Sequence, residues 1–361
     1  MSEANVSPKT DHPMHKPVHT YEVEALEAVL RANLPDFDRL DRLEKFPSGQ
    51  SNPTYLVSSG EHQYVLRAKP PGDLIASAHQ VDREFLVMRA LAGTGVPVPK
   101  TFFLTGEETP IGAQFFVMEY LEGRVFWNPA LPELPMHERG QVFAEMNRVM
   151  ATLHALNPAA LGLADFGKPG GYFERQTARW IKQYRATEMD PQPDMEALIT
   201  WLSGNMVPDD GLVALVHGDY RLDNLMFHPD KPEITAVLDW ELSTLGHPIA
   251  DLAYQCMQWR LPNGGQLRGL AGIDRTAQGL PTEQEYVAAY CRQRGWSGIP
   301  HWNFYLVFSM FRLAAIVQGI LFRAAKGNAS NPKTVDDLRP ALTLLSGMAR
   351  DLAETPSQIS V

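Results

Sequence analysis

The stretch VHGDYRLDN, Val216 to Asn224, decides how this chain is read. It is fed by the apolar run LVALV (212–216) and at once presents His217, Asp219, Arg221, Asp223 and Asn224. A surface turn uses one or two such side chains. A carboxylate and an amide five positions apart, with a guanidinium between them, ask for a chemical reason.

Fifteen positions beyond Asn224 stands Asp239, in AVLDWE (236–241). The intervening LMFHPDKPEITAVL reads as a hairpin: strand 225–228, a turn over Pro229-Asp230-Lys231-Pro232, strand 234–238. Pairing about a centre near 231 sets Asn224 beside Leu238 and Asp239, with Asp219 on the loop just ahead. Two carboxylates and an amide carbonyl form a hard, all-oxygen set that suits Mg2+ shared with phosphate oxygens and waters. The economical use is phosphoryl transfer. Asp219 takes a hydroxyl proton, Asn224 and Asp239 hold metal on a nucleotide, and Arg221 offsets charge on the transferring phosphate. A hairpin with solvated polar ends is the bland alternative, and it needs three elements to coincide.

The 361 residues leave room for two lobes. A net charge of -10 argues against a nucleic-acid partner, which needs a basic footprint. Two cysteines, Cys256 and Cys291, form no CxxC pair, so a reducing, cytoplasmic setting without disulfides is expected. The leader MSEANVSPKTDHPMHKPVHT lacks the apolar core of a signal peptide. Residues 302–322 are long enough to cross a bilayer, but Asn303, Arg312 and Gln318 are costly in lipid, so a buried helix and no membrane partner are expected.

Character changes along the chain. Short β-rich runs (LEKFP, TYLVSSG, HQYVLRA, KTFFLTG, QFFVMEY) dominate from about 40 to 120, interrupted by one helical segment over 76–93. Beyond 123 the periodicity is helical: 137–156, then near 172–188, 194–205, 249–259, 283–293, 301–325 and 334–353. The expected fold class is α+β: a leader and first helix (1–39), a small antiparallel sheet lobe (40–118), a hinge (119–123) and a larger helical lobe (124–361).

HGDYRLDN followed by LDWE resembles the catalytic core of the aminoglycoside phosphotransferase family, relatives of protein kinases. The kinase catalytic loop reads H-R-D-x-x-x-x-N; Gly218 stands here where kinases have Arg. The resemblance covers roughly 40 to 330. YVLRAKPPG, HGDYRLDN and LDWELSTLGHPIADLAY together resemble the branch found alone or fused to acyl-CoA dehydrogenases. The two lobes are expected to take up this chain, with no dehydrogenase domain. The resemblance implies a two-lobed protein-kinase-like fold, ATP and Mg2+ as cofactors with GTP left open, Asp219 as base, and Asn224 and Asp239 as metal ligands. It implies His217 as a brace within the loop and Asp251 as a support behind it.

In the small lobe, Arg67 falls in the slot of the kinase lysine, Lys69 shares its strand face, and Glu84 is the natural partner. Arginine is no neutral replacement, though it grips phosphate bidentately. The phosphate-covering loop would be PSGQSNPTY, with Ser48, Gly49, Ser51 and Asn52 doing the cradling. The main chain from Glu119 to Leu121, in VMEYLEG, would bond the adenine edge. Two motifs mislead: the literal Asp165-Phe166-Gly167 precedes the catalytic loop instead of following it, and 162–169 lacks the Ser/Thr of a P-loop.

The resemblance implies a small-molecule acceptor with a hydroxyl. Candidate liners are Tyr254, Trp259, Arg260, Arg175, Arg179, Trp180, Tyr184 and Arg312. Arg175 and Arg179 share a helix face and could receive an anion, while a net-negative cleft would suit a cationic aminoglycoside. The dehydrogenase-fused branch points toward hydroxyacyl or hydroxy-acid compounds. Two readings of different class stand: an ATP-dependent kinase, and a nucleotide-binding module without turnover, favoured by Arg67 and the one-glycine loop. Nothing in the sequence speaks to oligomeric state.

Overall fold

The computed structural model describes residues 23–46, 52–70, 80–264, 267–327, 335–355 and 359–360. Five strands form one antiparallel sheet: β1 (Arg42–Lys45), β2 (Thr54–Ser59), β3 (His62–Ala68), β4 (Thr101–Leu104) and β5 (Phe115–Glu119), in the order β1-β2-β3-β5-β4. Their alternation splits the core. Tyr64, Leu66 and Ala68 turn with Phe115 and Val117 toward helix α1 (Val23–Asn33), which lays down Leu26 and Leu30. Arg67 and its cross-strand partner Phe116 lie on the opposite face, toward helix α2 (Val81–Leu91).

The buried residues of α2 belong to the same apolar cluster as the helical body that follows. That body contains α3 (Met136–Ala155), α4 (Tyr172–Thr187), α5 (Pro193–Gly204), α6 (Ile249–Cys256), α7 (Glu283–Arg294), α8 (Trp302–Ala325) and α9 (Val335–Ala353). Between α5 and α6 the chain returns to short strands. A two-residue strand β6 (Arg124–Val125) joins the hairpin β8 (Leu225–Phe227) and β9 (Ile234–Val237) in a three-stranded sheet. β7 (Ala214–Val216) pairs with β10 (Thr244–Gly246). β11 (Gly298–Ile299) pairs with β12 (Ile359–Ser360).

The result is the α+β arrangement expected from the sequence. Helix α8 passes the length and hydropathy test for a membrane span, yet it lies inside the helical body, with 83% of its most apolar window buried. Its polar residues are bonded within the protein: Asn303 to the Leu352 carbonyl at 3.0 Å, Arg312 to the Gly218 carbonyl at 2.6 Å, Gln318 to the Thr187 carbonyl at 2.7 Å. These bonds lower the cost of polar groups in an apolar helix.

Candidate active site

The loop after β7 is shaped by one buried carboxylate. Asp251, in the first turn of α6, accepts the backbone N–H of His217 at 2.7 Å and of Gly218 at 2.8 Å. His154 Nε2 reaches the same carboxylate at 3.1 Å, while its Nδ1 meets the Tyr290 hydroxyl at 2.8 Å. Burial alone would raise the Asp251 carboxyl; the His154 hydrogen bond and the loop amides hold it below its ordinary value. His217 is fully buried and spans the loop. Its Nε2 meets the Leu238 carbonyl at 2.8 Å and its Nδ1 receives the Asp219 N–H at 3.2 Å, which fixes the neutral ring with its proton on Nε2. Gly218 has φ +84°, and a Cβ there would stand 2.5 Å from the Leu242 carbonyl oxygen. Arginine, as in kinases, would not fit this backbone.

After Arg221 a 3-10 turn, Leu222–Asn224, aims Asn224 back at Asp219. Asn224 Nδ2 donates to Asp219 Oδ2 at 3.0 Å and to the Asp219 carbonyl at 2.9 Å, which leaves its own Oδ1 as an oxygen donor. The hairpin keeps the expected register at its open end, where Leu225 pairs with Val237 and the Leu238 N–H donates to the Asn224 carbonyl at 2.9 Å, and shifts by one toward the turn, where Phe227 faces Ile234. Asp239 follows at once. Burial raises the Asp219 carboxyl, opposed by the nearby Arg221 and Arg312 guanidiniums; the Tyr254 hydroxyl also faces it. Arg221 grips Asp223 with both arms, Nε to Oδ1 at 2.7 Å and Nη2 to Oδ2.

Asp239 has φ +64°, a left-handed conformation that aspartate tolerates better than most residues and that recurs at functional positions. Arg67 Nη2 lies 2.9 Å from its Oδ1, and Arg67 Nε lies 2.9 Å from Glu84 Oε2. Glu84 is 2% exposed and also accepts from Asn52 Nδ2 at 2.8 Å. Burial pushes its carboxyl up to about 7, although Arg67 pulls the other way. Burial works against the Arg67 charge as well, but Glu84 and then Asp239 hold the guanidinium above its ordinary value. Carboxylate oxygens of Glu84, Asp239 and Glu241 lie within 4.8 Å of one another. This oxygen-only cluster suits a hard divalent cation. Glu84 is buried while Asp239 is exposed and Glu241 half-buried, so these two, with the side-chain oxygen of Asn224, are the more accessible donors. Glu241 escaped sequence reasoning; its signal was its place in the turn Trp240–Leu242 that follows Asp239.

The loop and hairpin thus bring Asp219, Asn224 and His217 together and set Asp239 beside Arg67 and Glu84. Several other expectations are corrected. Asn52 is fully buried against Glu84 and braces that carboxylate instead of lining a phosphate cradle. Ser48, Gly49 and Ser51 lie outside the described residues. The Glu119 N–H is spent on the Lys100 carbonyl at 2.8 Å, so it is not free for a base edge; Leu121 lies in the connection between β5 and β6. Lys69 pairs with Glu107 at 3.2 Å, away from Glu84.

Trp259 does not line a cleft. It is 4% exposed, packs on Phe143 and Tyr286, and donates to the Pro281 carbonyl at 2.8 Å. The α-helix ends at Cys256 and a 3-10 turn over Met257–Trp259 changes the angular step, which rotates Trp259 into the core. Arg260 is held by Glu283 at 2.5 Å. Arg175 donates to the Lys168 carbonyl at 2.6 Å, and Arg179 lies over the ring of Trp180 at 5.8 Å. Tyr184 is fully buried. Of the helix-borne candidates, Tyr254 faces Asp219 with its hydroxyl, and Arg312 donates to the carbonyl just ahead of it. The misleading Asp165-Phe166-Gly167 is a docking loop: Arg83 stacks on the Phe166 ring at 3.7 Å and donates to its carbonyl at 2.7 Å.

Known proteins share this arrangement. A model of the phosphotransferase enzyme family (APH) matches residues 42–294. Acyl-CoA dehydrogenase family member 10 of Mus musculus is 48% identical over 290 residues, 80% of this chain and 27% of the relative. Acyl-CoA dehydrogenase family member 11 of Rattus norvegicus is 39% identical over 349 residues, 95% of this chain and 44% of the relative. The chain therefore spans less than half the length of these curated relatives.

A solved Ralstonia eutropha protein, provisionally named an aminoglycoside phosphotransferase, is 45% identical with a TM-score of 0.85 over 93% of this chain and 99% of its own. Aminoglycoside phosphotransferase APH(4)-Ia, solved as a thermostable mutant with ADP and hygromycin B, shares the fold at a TM-score of 0.60 and 16% identity, over 93% of this chain and 100% of its own. With the loop, the hairpin and the family model in agreement, this chain belongs to the APH phosphotransferase family and has its protein-kinase-like fold.

Proposed function

We propose that the protein is an ATP-dependent phosphotransferase that moves the γ-phosphoryl group to a hydroxyl of a small molecule. The observation that carries this reading is the meeting of Asn224 with Asp219 on one loop while the hairpin delivers Asp239 at its open end. The solved relative with ADP and hygromycin B supports a nucleotide and a small hydroxylated acceptor. A hydroxyacyl or hydroxy-acid acceptor is favoured by the likeness to the acyl-CoA dehydrogenase family members, and an aminoglycoside-like compound by the solved relatives. Two buried free cysteines suit a cytoplasmic site of action.

In this mechanism Asp219 receives the acceptor's hydroxyl proton as that oxygen bonds to the γ-phosphorus. The bond from phosphorus to the β–γ bridging oxygen breaks, and ADP leaves with its electron pair. Asn224 holds the Asp219 carboxylate in place. Asp239, Glu241 and Asn224 Oδ1 would hold Mg2+, which when bound offsets phosphate charge. Arg67 leaves Asp239 and turns one arm to the phosphates. Arg221 adds positive potential beside Asp219.

One observation favours the second reading, a nucleotide-binding module without turnover: Arg67 bridges the very carboxylate the metal needs. Thermal shift with Mg2+ and ATP, with GTP, and with EDTA tests both. Ligand at ~100 times its dissociation constant adds about 2.7 kcal/mol of stability. A magnesium-dependent rise that vanishes in Asp239→Ala, followed by ADP formation with hydroxyl acceptors, is expected; a rise without turnover on any acceptor leaves the binding module, and no rise refutes both.

A further inference from the structure

Arg312 belongs to no part of the reaction as described, yet it is the most unusual charge near the loop. It lies in the middle of α8, 7% exposed. No ion pair to Arg312 is present among the described residues, and its buried Nε has no hydrogen-bond partner. A buried cation that makes no close ion pair is costly; the acidic group its charge acts on is Asp219. Its guanidinium carbon lies over two rings, 5.6 Å from the centroid of Trp180 and 5.1 Å from that of Tyr254. Both contacts are within cation–π range and help hold the group in place. One arm, Nη2, donates to the Gly218 carbonyl at 2.6 Å.

That carbonyl belongs to the peptide that carries Asp219. Gly218 is held on three sides. Its N–H is taken by Asp251 at 2.8 Å, its Cα face lies against the Leu242 carbonyl, and its carbonyl is taken by Arg312. A glycine at φ +84° is otherwise free to turn, and turning it would swing the Asp219 side chain. We infer that Arg312 is a positioning residue for phosphoryl transfer: by clamping the Gly218–Asp219 peptide it fixes the direction in which Asp219 meets the acceptor hydroxyl. The inference rests on the phosphotransferase reading.

The clamp is needed where the acceptor oxygen attacks and not where the nucleotide is held, so kcat and the Mg-ATP KM should separate. The variants are Arg312→Met, which keeps the apolar length, and Arg312→Lys, which keeps one charged donor without the planar fork. The probe is Mg-ATP, with ADP formation read with water as acceptor and with a panel of hydroxy acids and aminoglycosides. Displacement of a catalytic group by about 1 Å costs on the order of 10²-fold. Arg312→Met should lose kcat on that scale, Arg312→Lys should recover part of it, and the KM for Mg-ATP should stay within about twofold in both, a limit set well below that loss. Wild-type kcat in folded Arg312→Met overturns the inference while leaving the phosphotransferase reading intact. Equal loss in both variants with a raised Mg-ATP KM also overturns it, since that is a general disturbance of the fold. If Arg312→Met does not fold, Arg312→Lys decides by the same split. Wild-type protein that forms no ADP on any acceptor refutes the phosphotransferase reading itself.

Discussion

Arg67 and Asp239 are 172 residues apart in the chain, and their side chains meet at 2.9 Å. The same guanidinium holds Glu84, so one side chain links the sheet, α2 and the end of the hairpin. Removing it strands a carboxylate that is 2% exposed. Breaking a buried pair costs about 3–5 kcal/mol when the remaining charge stays. Glu84, already pushed up to about 7, escapes by taking a proton. Arg67→Ala should therefore cost about 1–3 kcal/mol, the range for an unsatisfied buried group. Urea unfolding at neutral pH measures it, and an unchanged midpoint would remove the pair from the stability of the fold.

Asp219→Asn keeps the size of the side chain and its contact with Asn224 while ending its capacity to accept a proton. Turnover should fall by ~10²-fold or more with nucleotide binding retained. Asp239→Ala should do the reverse and weaken Mg-nucleotide binding first. Titration calorimetry beside a turnover assay separates the two, and unchanged turnover in Asp219→Asn removes it as the base.

Asp251 ties stability to acid. Its folded-state pKa is depressed below the ordinary 3.8, so the stability it supplies is complete above that value and is lost as pH falls through the folded pKa. Asp251→Asn replaces an acceptor of two loop amides with a group that also donates. It should destabilise by about 3 kcal/mol at neutral pH and flatten the acid limb of the stability curve. Unfolding midpoints from pH 7 to about pH 2 test this, and parallel curves for the two proteins would contradict it.

Gly218→Ala meets two penalties at once, the positive φ and a Cβ 2.5 Å from the Leu242 carbonyl oxygen. The backbone strain alone is about 1–3 kcal/mol. A lowered Tm together with lost turnover is expected; a variant as stable as the parent would show that the loop relaxes freely.

The parts legible in the sequence were those governed by local rules. Alternation and a Pro-Asp-Lys-Pro turn set the hairpin register, and with it the meeting of Asn224 and Leu238. Strand parity put Arg67 on the face that meets Glu84. What stayed hidden depended on small backbone departures or on distant partners. The change from α to 3-10 at Cys256 turned Trp259 inward. Asn52 looked like a loop residue until Glu84 claimed it, and the Glu119 amide looked free until Lys100 was beside it. Glu241 joins its cluster only because Asp239 adopts a left-handed turn, which nothing in LDWE announces.

Arg83 stacked on Phe166 anchors α2 to the helical body, whose apolar core α2 also shares. α1 and the outer face of the sheet have a core of their own. The inner face of the sheet meets that shared core through Phe116 on Phe85, so any sliding of the sheet against α2 must move that ring pair and the Arg67–Glu84 contact together. The separation of those two side chains becomes a built-in gauge of cleft opening, one that a pair of spin labels on exposed positions of β3 and α2 could follow as nucleotide is added.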